Sequence, residues 1–185
     1  YIQNVVAFKQ DCAGESAEVM QQIHDALTTA EDLLRVYGEF LTHNDFVPHN
    51  VRIHDGKMYL LDHTSLTFGN KYESWARLIN YMILYNPELE TYLLQYVKQN
   101  RAGSEYNMLQ LMRLYKLGYL IAYYSRVEKV TTGNHQELTQ ARIRLWTYIA
   151  QCVLEDTQYD PARIIAHKKI RDRCRSKEEI ERQVE

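Results

Sequence analysis

Cysteine is scarce in this sequence, and long apolar runs are missing. The three cysteines, Cys12, Cys152 and Cys174, are odd in number, far apart and outside any metal-ligand spacing. Free thiols in a reducing compartment are the simplest interpretation, which predicts a cytoplasmic protein. The most apolar stretch, residues 117–124, is far shorter than the roughly 20 residues of a membrane-spanning helix, and no secretion signal opens the chain. We therefore expect no membrane partner.

The sequence also has little excess charge of either sign. Its formal net charge is -2 at pH 7, with 25% charged and 45% hydrophobic residues, which is an ordinary globular composition. This balance gives no electrostatic reason to expect nucleic acid as a partner. The 185 residues contain no internal repeat and no low-complexity linker, and they can bury one sizeable core. We predict a single domain over residues 1–185.

Helical periodicity dominates the chain. Residues 16–38 carry apolar side chains on a 3.6-residue period and end at Gly38, which suits a helix stop. The same spacing returns over residues 73–156, where Asn86 suits a helix cap and Pro87 a first helical position. These patterns predict one early amphipathic helix and a later helical subdomain.

A short β-hairpin separates the two helical regions. The segments VRIH and KMYLLD flank Asp55-Gly56, a dipeptide that favours a two-residue turn. At the other end, residues 168–185 mix charges of both signs with few apolar residues, which predicts a solvated tail helix. The expected fold class is α+β, predominantly helical, with one small hairpin.

A loop of acidic, amide and imidazole side chains precedes the hairpin at residues 43–50, HNDFVPHN. Phosphoryl transfer from a nucleotide needs a carboxylate to orient or accept the proton of an attacking hydroxyl, and it needs oxygen ligands for Mg²⁺. Asp45, Asn50 and Asp62 supply these groups. Because the hairpin strands run antiparallel, Asp62 should return beside Asn50. The spacing predicts a site for phosphoryl transfer.

At these residues the sequence resembles the aminoglycoside phosphotransferase and choline kinase superfamily, whose catalytic loop reads HxDxxxxN. In that family a metal-binding aspartate ends the next hairpin, and the match includes Pro48. The resemblance implies the C-terminal lobe of a protein-kinase-like fold. It implies an ATP-dependent kinase that phosphorylates a hydroxyl of a small molecule, with Asp45 as catalytic base. It also implies that Asn50 and Asp62 hold Mg²⁺ and ATP, while His43 supports the loop.

The resemblance extends to residues 68–76, FGNKYESWA, which look like the family's segment that braces the catalytic loop. The family usually carries an aspartate near Ser74. It also often has an aromatic and an acidic residue where His63-Thr64 follow Asp62. Neither change removes a metal ligand.

The nucleotide-binding half expected of such a kinase is not visible in this sequence. Its seven glycines form no phosphate-covering loop, and no lysine stands in a strand pattern ahead of the catalytic loop. We expect the N-terminal lobe to lie outside this chain. Because positioning and electrostatics supply nearly all of the catalysis in this chemistry, the isolated segment should have weak or no kinase activity.

Several alternatives remain open from the sequence. Asp45 and Asn50 could simply cap turns, as such residues commonly do. A cluster of histidines, His43, His49, His54 and His63, suggests zinc but has no recognised ligand spacing. A non-catalytic, pseudokinase-like binding module would keep the fold and work by docking a partner. A protein kinase is disfavoured, because no long activation loop separates Asp62 from the next helix.

Overall fold

The computed structural model describes residues 1–175. Over these residues the chain is mainly helical with two small antiparallel sheets, so the α+β class is confirmed. Its eight helices within this range are α1 (Ile2–Lys9), α2 (Glu15–Thr29), α3 (Glu31–Val36), α4 (Glu73–Tyr85), α5 (Pro87–Asn100), α6 (Gly103–Glu128), α7 (Gly133–Leu154) and α8 (Pro161–Cys174). Its four strands in the same residues are β1 (Phe40–His43), β2 (Val51–His54), β3 (Lys57–Leu60) and β4 (Leu66–Gly69). No helix among these is long and apolar enough to cross a membrane.

The chain forms two compact units. The first consists of residues 1–24 and the described residues from Leu117 onward, and its largest fully buried side chains are Val5, Met20, Ile23, Leu117, Ile121 and Ile149. The second consists of residues 25–116, and its largest fully buried side chains are Leu27, Ile79, Ile83, Met108, Leu109 and Met112. All candidate site residues lie in the second unit. The single domain inferred from the sequence stays a prediction.

The predicted β-hairpin is confirmed. Strands β2 and β3 pair antiparallel, from Val51 opposite Leu60 to His54 opposite Lys57. The two turn residues between them, Asp55 and Gly56, have φ of 48° and 70°. Asn and Asp tolerate positive φ better than other non-glycine residues, and glycine adopts it freely, so this dipeptide closes the turn with little strain.

A second sheet is formed by the two strands that flank the hairpin in the chain, β1 and β4. Strand β1 pairs antiparallel with β4, from Phe40 opposite Gly69 to His43 opposite Leu66. The pairing continues one residue beyond β1, because the backbone nitrogen of Asn44 donates to the carbonyl oxygen of Ser65 at 2.9 Å. The loop after β1 therefore begins, and the turn after β3 ends, at the same end of this sheet.

The early helix differs from the sequence expectation. The single helix predicted over residues 16–38 is two helices, α2 and α3, and the break falls at Ala30. Ala30 has φ of -101° and ψ of 21°, outside the helical region. Thr28 and Thr29 precede the break, and β-branched residues have low helix propensity. Apolar periodicity continues across the break and therefore conceals it.

Helix α5 begins at the residues that the sequence indicated, whereas α8 begins at Pro161, seven residues before the predicted tail helix. Asn86 caps α5 by accepting the backbone N–H of Leu89 at 3.0 Å, and Pro87 is the first helical residue. Asp160 caps α8 in the same way, accepting from Ala162 at 2.8 Å. Of the predicted tail helix, residues 168–174 belong to α8, and residues 176–185 lie outside the described residues.

Candidate active site

The candidate catalytic loop connects β1 to β2. After His43 it runs through Asn44 to Val47 and closes in a short 3-10 turn, Pro48–Asn50, that leads directly into β2. Proline suits the start of this turn, because its fixed φ is compatible with helical geometry and its missing N–H is not needed there. Val47 is buried at 4% exposure and anchors the middle of the loop.

Asp45 is the carboxylate of the loop, and both of its oxygens are bound. Its Oδ1 accepts from Nε of Arg77 at 2.9 Å and lies 2.8 Å from Nη2 of the same guanidinium. Its Oδ2 accepts from the side-chain amide of Asn50 at 3.2 Å. The Asp45 side chain is 44% exposed, so a ligand can still reach it.

Asn50 orients its side chain through two bonds that use the same nitrogen. Nδ2 donates to the backbone oxygen of Asp45 at 2.8 Å and to Oδ2 of Asp45 at 3.2 Å. Because both bonds use the amide nitrogen, the amide oxygen remains as an acceptor or metal ligand. The amide oxygen of Asn50 can therefore accept a hydrogen bond at the start of β2.

Asp62 lies one residue beyond the partner of Asn50. The backbone nitrogen of Leu61 donates to the carbonyl oxygen of Asn50 at 2.7 Å, which extends the β2–β3 pairing to these residues. Asp62 then turns away with φ of 56° and ψ of 60°, a left-handed conformation that Asp tolerates better than most residues. The hairpin therefore brings the chain back beside Asn50, as the sequence predicted.

The carboxylate of Asp62 is exposed and bound by two neighbouring hydroxyls. Thr64 donates to Oδ1 and Ser65 donates to Oδ2, both at 2.5 Å. These hydroxyls, Ser65 first, lower the pKa of Asp62, and His43 and His63 add a smaller effect in the same direction. Hydrogen bonds to the charged form favour ionisation, so Asp62 presents a negative charge at neutral pH.

His43 links the end of β1 to the end of the hairpin. Its ring is buried at 3% exposure, and Nε2 lies 3.0 Å from the carbonyl oxygen of Leu61, the residue before Asp62. The other ring nitrogen, Nδ1, is buried without a hydrogen-bond partner in the described part of the chain. Because a carbonyl oxygen only accepts, Nε2 carries the proton in the contact with Leu61. His43 thus connects both ends of the candidate site.

Helix α4 holds the loop from the other side. Oγ of Ser74 lies 2.7 Å from Oγ1 of Thr42, accepts from the backbone nitrogen of His43 at 2.9 Å and lies 3.2 Å from its carbonyl oxygen. Arg77 follows one turn later on α4 and binds Asp45. His43 and Asp45 therefore contact α4 at positions one helical turn apart, which orients the start of the loop against this helix.

Lys116 on α6 links the loop to helix α4. Its ammonium group donates to Oε2 of Glu73 at 2.7 Å and to Oδ1 of Asn44 at 3.0 Å. Both charged side chains are largely buried, at 11% exposure for Lys116 and 6% for Glu73. Sequence reasoning missed Lys116 and Arg77, because they lie far from the motif in the chain. The helical spacing of Glu73 and Arg77 on one face of α4 was the one available signal.

The remaining loop histidines do not form a cluster. Nδ1 of His49 lies 3.2 Å from the hydroxyl of Tyr81, while Nε2 of His63 lies 3.1 Å from the carbonyl oxygen of Leu60. His54 lies beside Asp55 at the exposed hairpin turn. In the part of the chain that the structure describes, no three His, Cys, Asp or Glu side chains gather as a metal-binding group.

The donor set of Asn50 and Asp62 fits a hard divalent cation. An amide oxygen and an ionised carboxylate are ligands that Mg²⁺ accepts, and Mg²⁺ usually keeps several waters and needs only one or two protein carboxylates. Zinc sites are built mainly from imidazole and thiolate ligands, and neither Asn50 nor Asp62 supplies one. The arrangement therefore places a reachable carboxylate, Asp45, beside Asn50, and the chain returns to Asn50 one residue before Asp62.

Comparison of the chain with protein-family models, curated proteins and solved structures gave no match in any of the three.

Proposed function

We propose that this chain is the catalytic-loop lobe of an ATP-dependent phosphotransferase that acts on a hydroxyl of a small molecule, within the protein-kinase-like fold. One observation carries the proposal: Asp45 is held by Asn50 and Arg77 while Asp62 returns beside Asn50. A turn-capping role does not explain this arrangement, because the Asp45 carboxylate binds side chains rather than the loop's own backbone N–H groups. The free thiols of Cys12, Cys152 and Cys174 support a cytosolic location.

In this proposal Asp45 orients the acceptor hydroxyl for in-line attack on the γ-phosphorus of ATP. The new bond joins the hydroxyl oxygen to phosphorus, the bond from phosphorus to the β–γ bridging oxygen breaks, and ADP leaves. Asp45 accepts the hydroxyl proton and later releases it to solvent. Asn50 and Asp62 would hold Mg²⁺, which when bound neutralises charge on the phosphates. His43 and Ser74 keep the loop in place.

The nucleotide-binding lobe is a further part of the proposal. Two cross-strand apolar pairs on the small sheets are exposed, Leu41 with Phe68 and Ile53 with Met58, at 65% to 77% exposure. Large exposed apolar side chains that lie together mark interaction surfaces. An N-terminal lobe covering these sheets would close the nucleotide site above Asn50 and Asp62.

The same apolar pairs favour the second candidate, a non-catalytic binding module that docks a protein partner. In that case the pairs would contact the partner, and the carboxylates would serve only the loop structure. The two candidates differ in one measurable property, which is the Mg²⁺-dependent binding of ATP.

The test is a thermal-shift titration of the complete natural polypeptide with ATP, with and without Mg²⁺. We expect stabilisation that requires Mg²⁺ and that is lost in Asp62→Asn, a change that removes the charge and tolerates the left-handed backbone. The matched control is Asp55→Asn, an exposed hairpin carboxylate that also has positive φ. Asp45→Asn should keep the shift and lose turnover by about 10²- to 10⁴-fold.

No Mg²⁺-dependent shift in the wild type would favour the docking module. Loss of the shift in Asp55→Asn as well as Asp62→Asn would mean that the hairpin as a whole, and not the charge of Asp62, is responsible.

A further inference from the structure

Arg77 contacts the candidate catalytic carboxylate in a way that the proposed chemistry does not by itself require. Its guanidinium makes two contacts to one oxygen of Asp45, from Nε at 2.9 Å and from Nη2 at 2.8 Å, both to Oδ1. The other oxygen, Oδ2, accepts the single bond from Asn50 at 3.2 Å. The two carboxylate oxygens of Asp45 are therefore bound unequally.

This inequality leaves a defined place for an acceptor. A carboxylate has about four acceptor positions, two on each oxygen. Arg77 donates to Oδ1 through Nε and places Nη2 2.8 Å from the same oxygen, whereas Oδ2 accepts only from Asn50 in the described residues and keeps one acceptor position without a partner. That position lies on the oxygen beside Asn50. A hydroxyl that donates there would lie beside the side chain of Asn50.

The guanidinium itself is held by a fixed helix. Arg77 lies one turn after Glu73 and Ser74 on α4. Glu73 accepts from Lys116, and Ser74 accepts from the backbone nitrogen of His43 in the loop. The Arg77 side chain is 25% exposed, much less than the partners of an ordinary surface pair such as Arg35 and Glu31, at 74% and 51%. Exposed pairs contribute little to stability. The Arg77 contact is more buried and more constrained than such a pair.

We propose that Arg77 is a positioning residue that binds Oδ1 of Asp45 and so directs Oδ2 towards the acceptor hydroxyl. This inference rests on the proposed phosphotransferase function. Reacting groups that are misplaced by about 1 Å can lose about 10²-fold in rate, so the guanidinium contributes through geometry without touching the substrate. A planar guanidinium suits this role better than an ammonium, because its N–H groups point in fixed directions.

The test measures ADP release from magnesium ATP, with water as the acceptor, in the complete natural polypeptide. Arg77→Met should lower kcat by about 10²-fold, while KM for ATP and the Mg²⁺-dependent thermal shift stay within about twofold of the wild type. Arg77→Lys restores a cation and should recover about tenfold of the lost kcat. The matched control is Arg35→Met, which removes an arginine from the exposed Glu31 pair and should leave kcat unchanged.

The outcomes separate this inference from the function on which it rests. Wild-type turnover together with an Arg77→Met kcat within about threefold would overturn the positioning role alone. A fall in kcat with an equal loss of ATP binding would also overturn it, because a purely structural role predicts both losses together. If Arg77→Met does not fold, Arg77→Lys decides by the same split between kcat and KM. No ADP release and no Mg²⁺-dependent shift in the wild type would overturn both proposals.

Discussion

Oγ of Ser74 lies 2.9 Å from the backbone nitrogen of His43 and 3.2 Å from the carbonyl oxygen of the same residue. A hydroxyl both donates and accepts, whereas an ionised carboxylate only accepts. Serine at this position can therefore bind both backbone groups of His43. Through these two contacts the short serine side chain connects helix α4 to the loop.

Removing this hydroxyl should destabilise the fold. Ser74→Ala leaves the buried backbone N–H of His43 without its acceptor, which costs about 1–3 kcal/mol. Urea unfolding monitored by circular dichroism gives the change in free energy of unfolding. The control is Ser104→Ala, because Ser104 bonds the Tyr37 hydroxyl at an exposed position. Equal losses in the two variants would contradict a special role for Ser74.

The buried pair of Arg113 and Glu90 should be sensitive to loss of either partner. Nη2 of Arg113 lies 3.0 Å from Oε1 of Glu90, at 4% and 5% exposure, and Nε donates to Asn80 at 3.1 Å. Glu90→Gln removes the carboxylate charge that faces this buried guanidinium, and we expect a loss of about 3–5 kcal/mol. The double variant Glu90→Leu/Arg113→Met should lose less stability than the sum of the losses of Glu90→Leu and Arg113→Met made singly.

A double-mutant cycle with urea denaturation measures this coupling. Strict additivity of the single and double variants would show that the two charges do not depend on each other.

His167 should make stability fall as the pH is lowered. Burial, followed by the charge of Arg142, lowers the pKa of this ring to about 4, and Nδ1 has no partner among the described residues. An unfolded histidine has a pKa of about 6.5, so the unfolded state binds the proton first on acidification. The contribution of His167 is complete above pH ~6.5, declines towards pH ~4 by on the order of 3 kcal/mol, and is then constant.

The comparison is between the wild type and His167→Gln, with His135→Gln on the exposed start of α7 as control. Melting temperatures between pH 7.5 and pH 4 should fall more steeply in the wild type than in His167→Gln. Parallel curves for all three proteins would show that His167 does not carry the pH dependence.

Glu105 should make the stability of the fold depend on pH in a more acidic range than His167 does. Its carboxylate accepts from Lys71 at 2.8 Å and from the hydroxyl of Tyr72 at 2.5 Å, and these bonds lower its pKa to about 2. A depressed acid contributes stability above the unfolded pKa of about 4.3 and loses it as the pH falls towards 2. Glu105→Gln should therefore be less stable than the wild type at pH 7.

The difference in melting temperature between wild type and Glu105→Gln should shrink below pH ~4. Glu15→Gln on the exposed first turn of α2 is the control. A difference that is the same at pH 7 and pH 2.5 would mean that the Glu105 charge is not involved.

Local features of the fold could be predicted because they depend on neighbouring residues. The Asp55-Gly56 turn, the Asn86 cap and the Pro87 helix start each follow from a few adjacent side chains, and each is confirmed. The helix break at Ala30 was not predicted, because the apolar periodicity of the sequence continues when a helix is interrupted by a single residue.

The sequence by itself determined the α+β class, the hairpin and the return of the chain to Asn50 just before Asp62, because short spacing and backbone geometry are enough to produce these features. Only the tertiary structure decided how Asp45 is bound. Arg77 is 32 residues from Asp45, and Lys116 is 72 residues from Asn44. Contacts over such separations depend on how helices pack, which many distant apolar residues fix jointly and which no local pattern encodes.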